Sequence, residues 1–238
     1  MKEGYKMPYF GFYFDPTYIL IIIGAVLCLL ASAKVNTTFN HYQRVRSNSG
    51  MTGAEAAQRI LNSQGIYHVS VEHIRGNLTD HYDPRTKVLR LSDSVYHSTS
   101  VAAIGVAAHE CGHAIQDEKE YAPLKIRGAL VPAANFGSQI CWLFIIGGVL
   151  FGANSFLINL GILLFSLSVL FQIITLPVEF DASRRAVALL AQTGILGNEE
   201  LKGTKKVLGA AALTYVASAA AAILSLLRLI LLFGRRDD

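Results

Sequence analysis

The sequence predicts a mainly α membrane protein, with about four transmembrane helices and a small α+β region that carries a helix with a His-Glu-x-x-His motif. Three observations predict it. Of the 238 residues, 52% are hydrophobic and only 16% charged, a balance that suits a multi-pass chain with a modest polar part. The apolar residues are gathered in four blocks near the length of about 20 residues that a spanning helix needs. His109-Glu110-Cys111-Gly112-His113 stands between the first and second blocks, in a run of small and apolar residues.

The first unit, 1–33, is an N-terminal segment and a first span built on 18–33, reaching back toward Phe10 if 10–15 lies at the interface. Ala31-Ser32-Ala33 also resembles a signal-peptidase site. The long aromatic segment ahead of the core, with Asp15 in it, is unlike a short basic leader. A lipoprotein site at Cys28 is disfavoured because bulky Leu27 precedes it.

The second unit, 34–130, holds the polar region. Thr52 to Glu55 forms a capping box for a short helix to about Ser63, with Gly65 as its stop. Ile66 to Ile74 alternates and Lys87 to Leu91 reads as a second strand, the two joined through a turn at Tyr82-Asp83-Pro84-Arg85. Ser100 to Gln116 is then an apolar helix with Ser98, Thr99 and Ser100 as N-cap candidates. A helix and short sheet ahead of an HExxH helix is the zincin order, so the region is zincin-like. A free strand edge there would bind an extended peptide through its backbone.

The third unit, 131–176, is a hairpin of spans at 131–151 and 156–176, separated only by Gly152-Ala153-Asn154-Ser155. The fourth, 177–208, is a polar helix and linker. The fifth, 209–238, is the last span and tail, interrupted by Arg228, which must snorkel or face protein.

Four crossings place 34–130 and 177–208 on one side of the membrane. Lys34, Arg44, Arg46, Lys119, Lys125, Arg127, Arg184, Arg185, Lys202, Lys205 and Lys206 lie there, against Lys2, Lys6, Arg235 and Arg236 on the other. The positive-inside bias makes the larger side cytoplasmic, in a multi-pass cell-membrane protein. The net charge of +4 is spread over juxtamembrane positions that suit a lipid bilayer with anionic head groups. No nucleic-acid module, phosphate loop or dinucleotide fingerprint occurs. Three cysteines, two of them in spans, make no disulfide framework and no CxxC pair.

The motif carries the chemistry. Histidines four apart on a helix project from one face, so both imidazoles can reach a single zinc ion. Two histidines and a glutamate are costly to bury in an apolar helix unless they share a partner, and a metal supplies it. Glu110, beside the first ligand, is placed to take a proton from a zinc-activated water and pass it to a leaving amine. Cys111 points away from that face and reads as a packing residue.

Catalytic zinc takes three protein ligands and keeps one position open. Gln116 and Lys119 stand where an extended HExxHxxGxxH motif needs Gly and His, which excludes that class. Asp117, Glu118 and Glu120 read as solvated charges, and His97 lies before the helix. Glu179 is the stronger third ligand. It sits where an apolar span gives way to a polar helix on the motif's side, an expensive place for a carboxylate without a cation. The bland alternative is an ion pair with Arg184 or Arg185. His41, His68, His73 and His81 are expected at the surface. Tyr96, His97, Arg184 and Tyr215 are unranked candidates for stabilising an oxyanion.

HECGH, a span pair and then VEFDASRRA together resemble the bacterial membrane-bound neutral zinc metallopeptidases. More distantly they resemble the integral-membrane gluzincins that include the heat-shock membrane proteases and prenyl-protein endopeptidases. The resemblance covers nearly the whole chain. It implies zinc on His109, His113 and Glu179, with Glu110 as the catalytic base of an endopeptidase acting on a peptide or membrane-protein substrate. In the distant group Glu-aromatic-x-Ala-Asp supplies an aspartate that orients a ligand histidine; Glu179, Phe180 and Ala182 match, but Ser183 replaces the aspartate. Asp181 is a substitute that would sit on another helical face. Two rival readings are a non-catalytic zinc-binding membrane protein and a site-2-type intramembrane protease. The latter needs an aspartate within a span, and none is there. Oligomeric state and physiological substrate are left open.

Overall fold

The computed structural model describes residues 15–152 and 154–234. The proposed extension toward Phe10, and Lys2, Lys6, Arg235 and Arg236, lie outside them. The elements run α1 (Tyr18–Tyr42), α2 (Gly53–Ser63), β1 (Ser70–Ile74), β2 (His81–Asp83), β3 (Val88–Ser92), α3 (Val101–Glu118), α4 (Ala122–Leu150), α5 (Ser155–Gln192) and α6 (Asn198–Phe233). The protein is mainly helical, and α1, α4, α5 and α6 are long and apolar enough to cross a membrane. Their outer faces carry large bare side chains such as Leu143, Leu150 and Phe156, each more than 70% exposed. Lipid is the solvent that suits such surfaces.

Each spanning helix outruns its apolar block. Hydropathy reads the surrounding medium and not the backbone, so a helix that leaves the bilayer goes on unmarked. The 38 residues of α5 make a rod of roughly 57 Å against about 30 Å of hydrocarbon. It continues through Pro177 into the polar stretch that carries Glu179. At the opposite end of the bundle, Arg228 of α6 turns inward. It donates to Asp15 Oδ2 at 3.2 Å and lies 4.2 Å over the Tyr18 ring, which resolves its place in the span by pairing.

The polar region folds on α3. Thr52 caps α2 through the expected box, its side chain accepting from Glu55 N while Glu55 accepts from Thr52 N, and Gly65 stops the helix with φ of 73°. The sheet differs from the sequence reading. It has three strands in the order β1-β3-β2, with β1 parallel to β3 and β2 antiparallel. Tyr82 and Asp83, expected in a turn, belong to β2. The turn starts after them at Pro84, held by Asp83 accepting from Arg85 N and Thr86 Oγ1.

Ser100 is the N-cap of α3, its hydroxyl accepting from Ala103 N at 3.2 Å. The helix is buried on nearly every side because its small residues admit close neighbours. A Cβ at Gly112 would stand 2.6 Å from the carbonyl oxygen of Ala182, so α3 and α5 touch backbone to backbone there. The core gathers Ile60, Leu61, Leu89, Leu91, Ile104, Ile115 and Leu190, locking α2, the sheet and the end of α5 around α3.

Candidate metal centre

The close crossing at Gly112 brings the middle of α3 against α5 one turn beyond Pro177. His109 and His113, four apart on α3, present their rings nearly perpendicular, with centroids 4.8 Å apart. Glu179 Oε2 lies 3.2 Å from His109 Nε2 and 3.6 Å from His113 Nε2. Among the described residues this is the one cluster of three such donors able to share an ion. Donors held about 2.1 Å from a tetrahedral zinc stand about 3.4 Å from one another. The observed separations fit that ion, as does the set of two imidazoles and one carboxylate.

Other side chains hold the three in place. His113 Nδ1 donates to Gln116 Oε1 at 3.0 Å, and fully buried Gln116 donates from Nε2 to Val178 O at 2.8 Å and to Asp181 Oδ2 at 3.0 Å. Asp181 does therefore serve the site, by way of the Gln116 amide instead of its own face. Ser183 Oγ lies 3.1 Å from His109 Nδ1, so the serine occupies the orienting place that the resemblance gives to an aspartate. With both Nδ1 atoms engaged, both Nε2 lone pairs are left for the ion. The expected rivals for Glu179 pair elsewhere: Arg184 and Arg185 both bind Asp181. Glu179 Oε1 instead accepts from Arg127 Nη1 of α4 at 3.0 Å.

Glu110 is buried to within 8% and, among the described residues, accepts no protein hydrogen bond, so its carboxylate is open to water. It stands where two cavities meet. One, of about 420 Å³, is walled by His81 and Tyr82 of β2 and by Leu124, Arg127 and Val131 of α4, with His113 and Glu179 on its floor. The other, of about 270 Å³, is mostly apolar and is lined by Val35 and Phe39 of α1, Val106 of α3 and Val207 of α6. Asp80, Glu110 and Tyr215 border both. β2 is an edge strand lying along the larger cavity.

Sequence reasoning gave no place in the site to Asp80, Gln116 or Arg127. Asp80 accepts from Ser92 N and Oγ at 2.7 and 2.9 Å. Burial pushes its carboxyl above the ordinary value, against those two bonds, and the nearby Glu110 charge adds to the rise. Gln116 entered only as a failed glycine position. Its spacing of three from His113 was the available signal, since such residues share a helix face. Asp117 is not a free solvated charge, for it accepts from Tyr82 Oη and Lys87 Nζ, each at 2.7 Å. His97 packs on Tyr96 and His73 and, among the described residues, joins no metal cluster. Cys111 is fully buried against Ala57 O, its thiol pushed well up by that burial. Of the oxyanion candidates, Tyr215 alone borders the cavity at Glu110.

An HExxH helix, a remote glutamate on a spanning helix and four apolar spans define a membrane zinc-peptidase class. The chain falls within it by comparison too. The family model described as "Putative neutral zinc metallopeptidase" matches residues 17–234, and the chain belongs to that family. It is similar to a Bacillus subtilis (strain 168) protein described as "Putative membrane protease YugP", with 48% identity over 223 residues, 93% of this chain and 99% of that relative. No solved structure matches.

Proposed function

We propose that the protein is a zinc-dependent endopeptidase of the cytoplasmic membrane face, acting on extended peptide or membrane-protein segments. The observation that carries the reading is the convergence of His109 Nε2, His113 Nε2 and Glu179 Oε2 beside a Glu110 carboxylate that accepts no hydrogen bond among the described residues. When bound, zinc supplies Lewis acidity that polarises the scissile carbonyl and makes water nucleophilic near neutral pH. Glu110 takes the proton from the attacking water and returns it to the departing amine. Tyr215, across the cavity junction from Glu110, donates its hydroxyl hydrogen to the developing oxyanion. The substrate backbone pairs with the edge of β2, and its side chains enter the two cavities on either side of the scissile bond.

A purely structural zinc site is disfavoured by this arrangement. Such sites are closed by four protein ligands, and this one has three donors facing a cavity. The test is to purify the full chain in detergent and compare zinc content and casein cleavage in the parent and in Glu110→Gln. Both are expected to hold one equivalent of zinc, while cleavage falls about a thousandfold in the variant. Equal cleavage would remove Glu110 from the mechanism.

A further inference from the structure

A third cavity of about 420 Å³, outside the metal cleft, runs along the outer seam of α5 and α6. Its floor is apolar, made by Phe180 and Val187 of α5 and by Leu208, Ala212, Leu213 and Val216 of α6. Its polar end carries two cations, Arg184 and Lys205. The helices are antiparallel, so from Lys205 to Val216 the groove descends roughly 16 Å toward the bilayer, cations at the water side and bare carbons below.

The two cations are available. Arg184 is 77% exposed and spends one edge of its guanidinium on Asp181, which leaves its other N–H groups free. Lys205 is exposed and makes no ion pair among the described residues. Among the described residues no carboxylate lines the groove to satisfy them. The apolar floor is accessible too: Phe180, Leu213 and Val216 are each more than 40% exposed. Gly209, in the middle of the seam, has open space where a Cβ would be.

From this we infer that the α5–α6 seam is a binding site for one anionic phospholipid, its phosphate between Arg184 and Lys205 and an acyl chain along Phe180, Ala212 and Val216. The charge sign and the order of the groups both match such a lipid in the cytoplasmic leaflet, where paired basic residues between spanning helices draw acidic head groups. A zwitterionic lipid fits the floor but brings its own cation to the same end, so the site discriminates by head group. The occupant lies against the back of the metal centre: Ser183, which touches His109, also lines the groove, and Arg184 holds the Asp181 that orients Gln116. The inference rests on the groove and on the membrane side proposed above, and does not depend on the peptidase reading.

Native mass spectrometry of the full chain in detergent, titrated with phosphatidylglycerol or phosphatidylcholine of identical acyl chains, tests it. The parent is expected to retain phosphatidylglycerol preferentially. Lys205→Gln, which breaks no ion pair or hydrogen bond among the described residues, lowers that retention about fivefold, and Arg184→Gln with Lys205→Gln lowers it further. Lys206→Gln, one residue off the groove, leaves it unchanged. Gly209→Phe fills the seam without a backbone clash and expels the lipid. Equal retention of the two lipids by the parent would overturn the inference. So would an unchanged preference in Lys205→Gln together with the double variant, or full retention in Gly209→Phe.

Discussion

Gln116 shows how little of a site is in its motif. The amide ties one zinc-side imidazole to a main-chain carbonyl and a carboxylate on another helix, with every polar atom used. Gln116→Met keeps the volume but loses the acceptor for His113 Nδ1. Zinc affinity is expected to fall about 10- to 100-fold with the fold retained, read by competition with a chromogenic chelator. Asp80 gives a pH signature. Its folded value lies above the unfolded one, so its contribution is full at low pH and is lost as the pH climbs from about 4 through the raised value. Asp80→Asn keeps an acceptor for Ser92 N and removes that loss. Its thermal midpoint should decline less than the parent's over that interval, and parallel curves would show that Asp80 bears no such burden. The grouping of His109, His113 and Glu179 was legible because ligating histidines stand four apart on a helix and a carboxylate at the end of a span is costly without a cation. Asp80, Gln116 and Arg127 were not, and the place of Ser183 came only through the resemblance, because an orienting hydrogen bond accepts many residue types and its partner comes from a distant element.

The crossing of α3 and α5 sets the site at the level of elements. Ala182, whose carbonyl meets the Gly112 backbone, lies between Glu179 and Ser183, so the approach fixes the depth of both. Gly112→Ala forces a Cβ into that contact and pushes α5 away. Overpacking of this kind costs about 1–3 kcal/mol, and zinc occupancy after dialysis should drop along with the unfolding temperature. Full occupancy in the variant would mean that another contact positions Glu179. The capping box of α2 and the Ser100 cap of α3 were readable because caps are local chemistry. The three-strand sheet was not, since a three-residue strand such as β2 carries too few side chains to show a period. The continuation of α5 past Pro177 was equally hidden, because the change from apolar to polar residues there marks a change of solvent.

At the scale of the whole molecule, four spans place the polar region and the metal centre on one side, with basic residues gathered beside them. Tyr67, 76% exposed on that region, reports the side. In intact cells Tyr67→Cys should resist an impermeant maleimide and react once the cells are opened, while buried Cys111 stays unmodified until unfolding. Labelling without permeabilisation would put the centre outside. The span count followed from composition, since bilayer thickness bounds helix length. The two cavities meeting at Glu110 could not be foreseen, because their linings come from six separate elements.

The candidate ligands are split along the chain: His109 and His113 on α3, and Glu179 on α5 past the apolar part of the α4–α5 hairpin. On the metal-site reading proposed above, a nascent polypeptide emerges from the ribosome with an incomplete trio, and full coordination waits until the translocation machinery has delivered that hairpin to the lipid phase. On that reading, correct integration and acquisition of the metal become a single event in biogenesis, and a misinserted copy is expected to be inert.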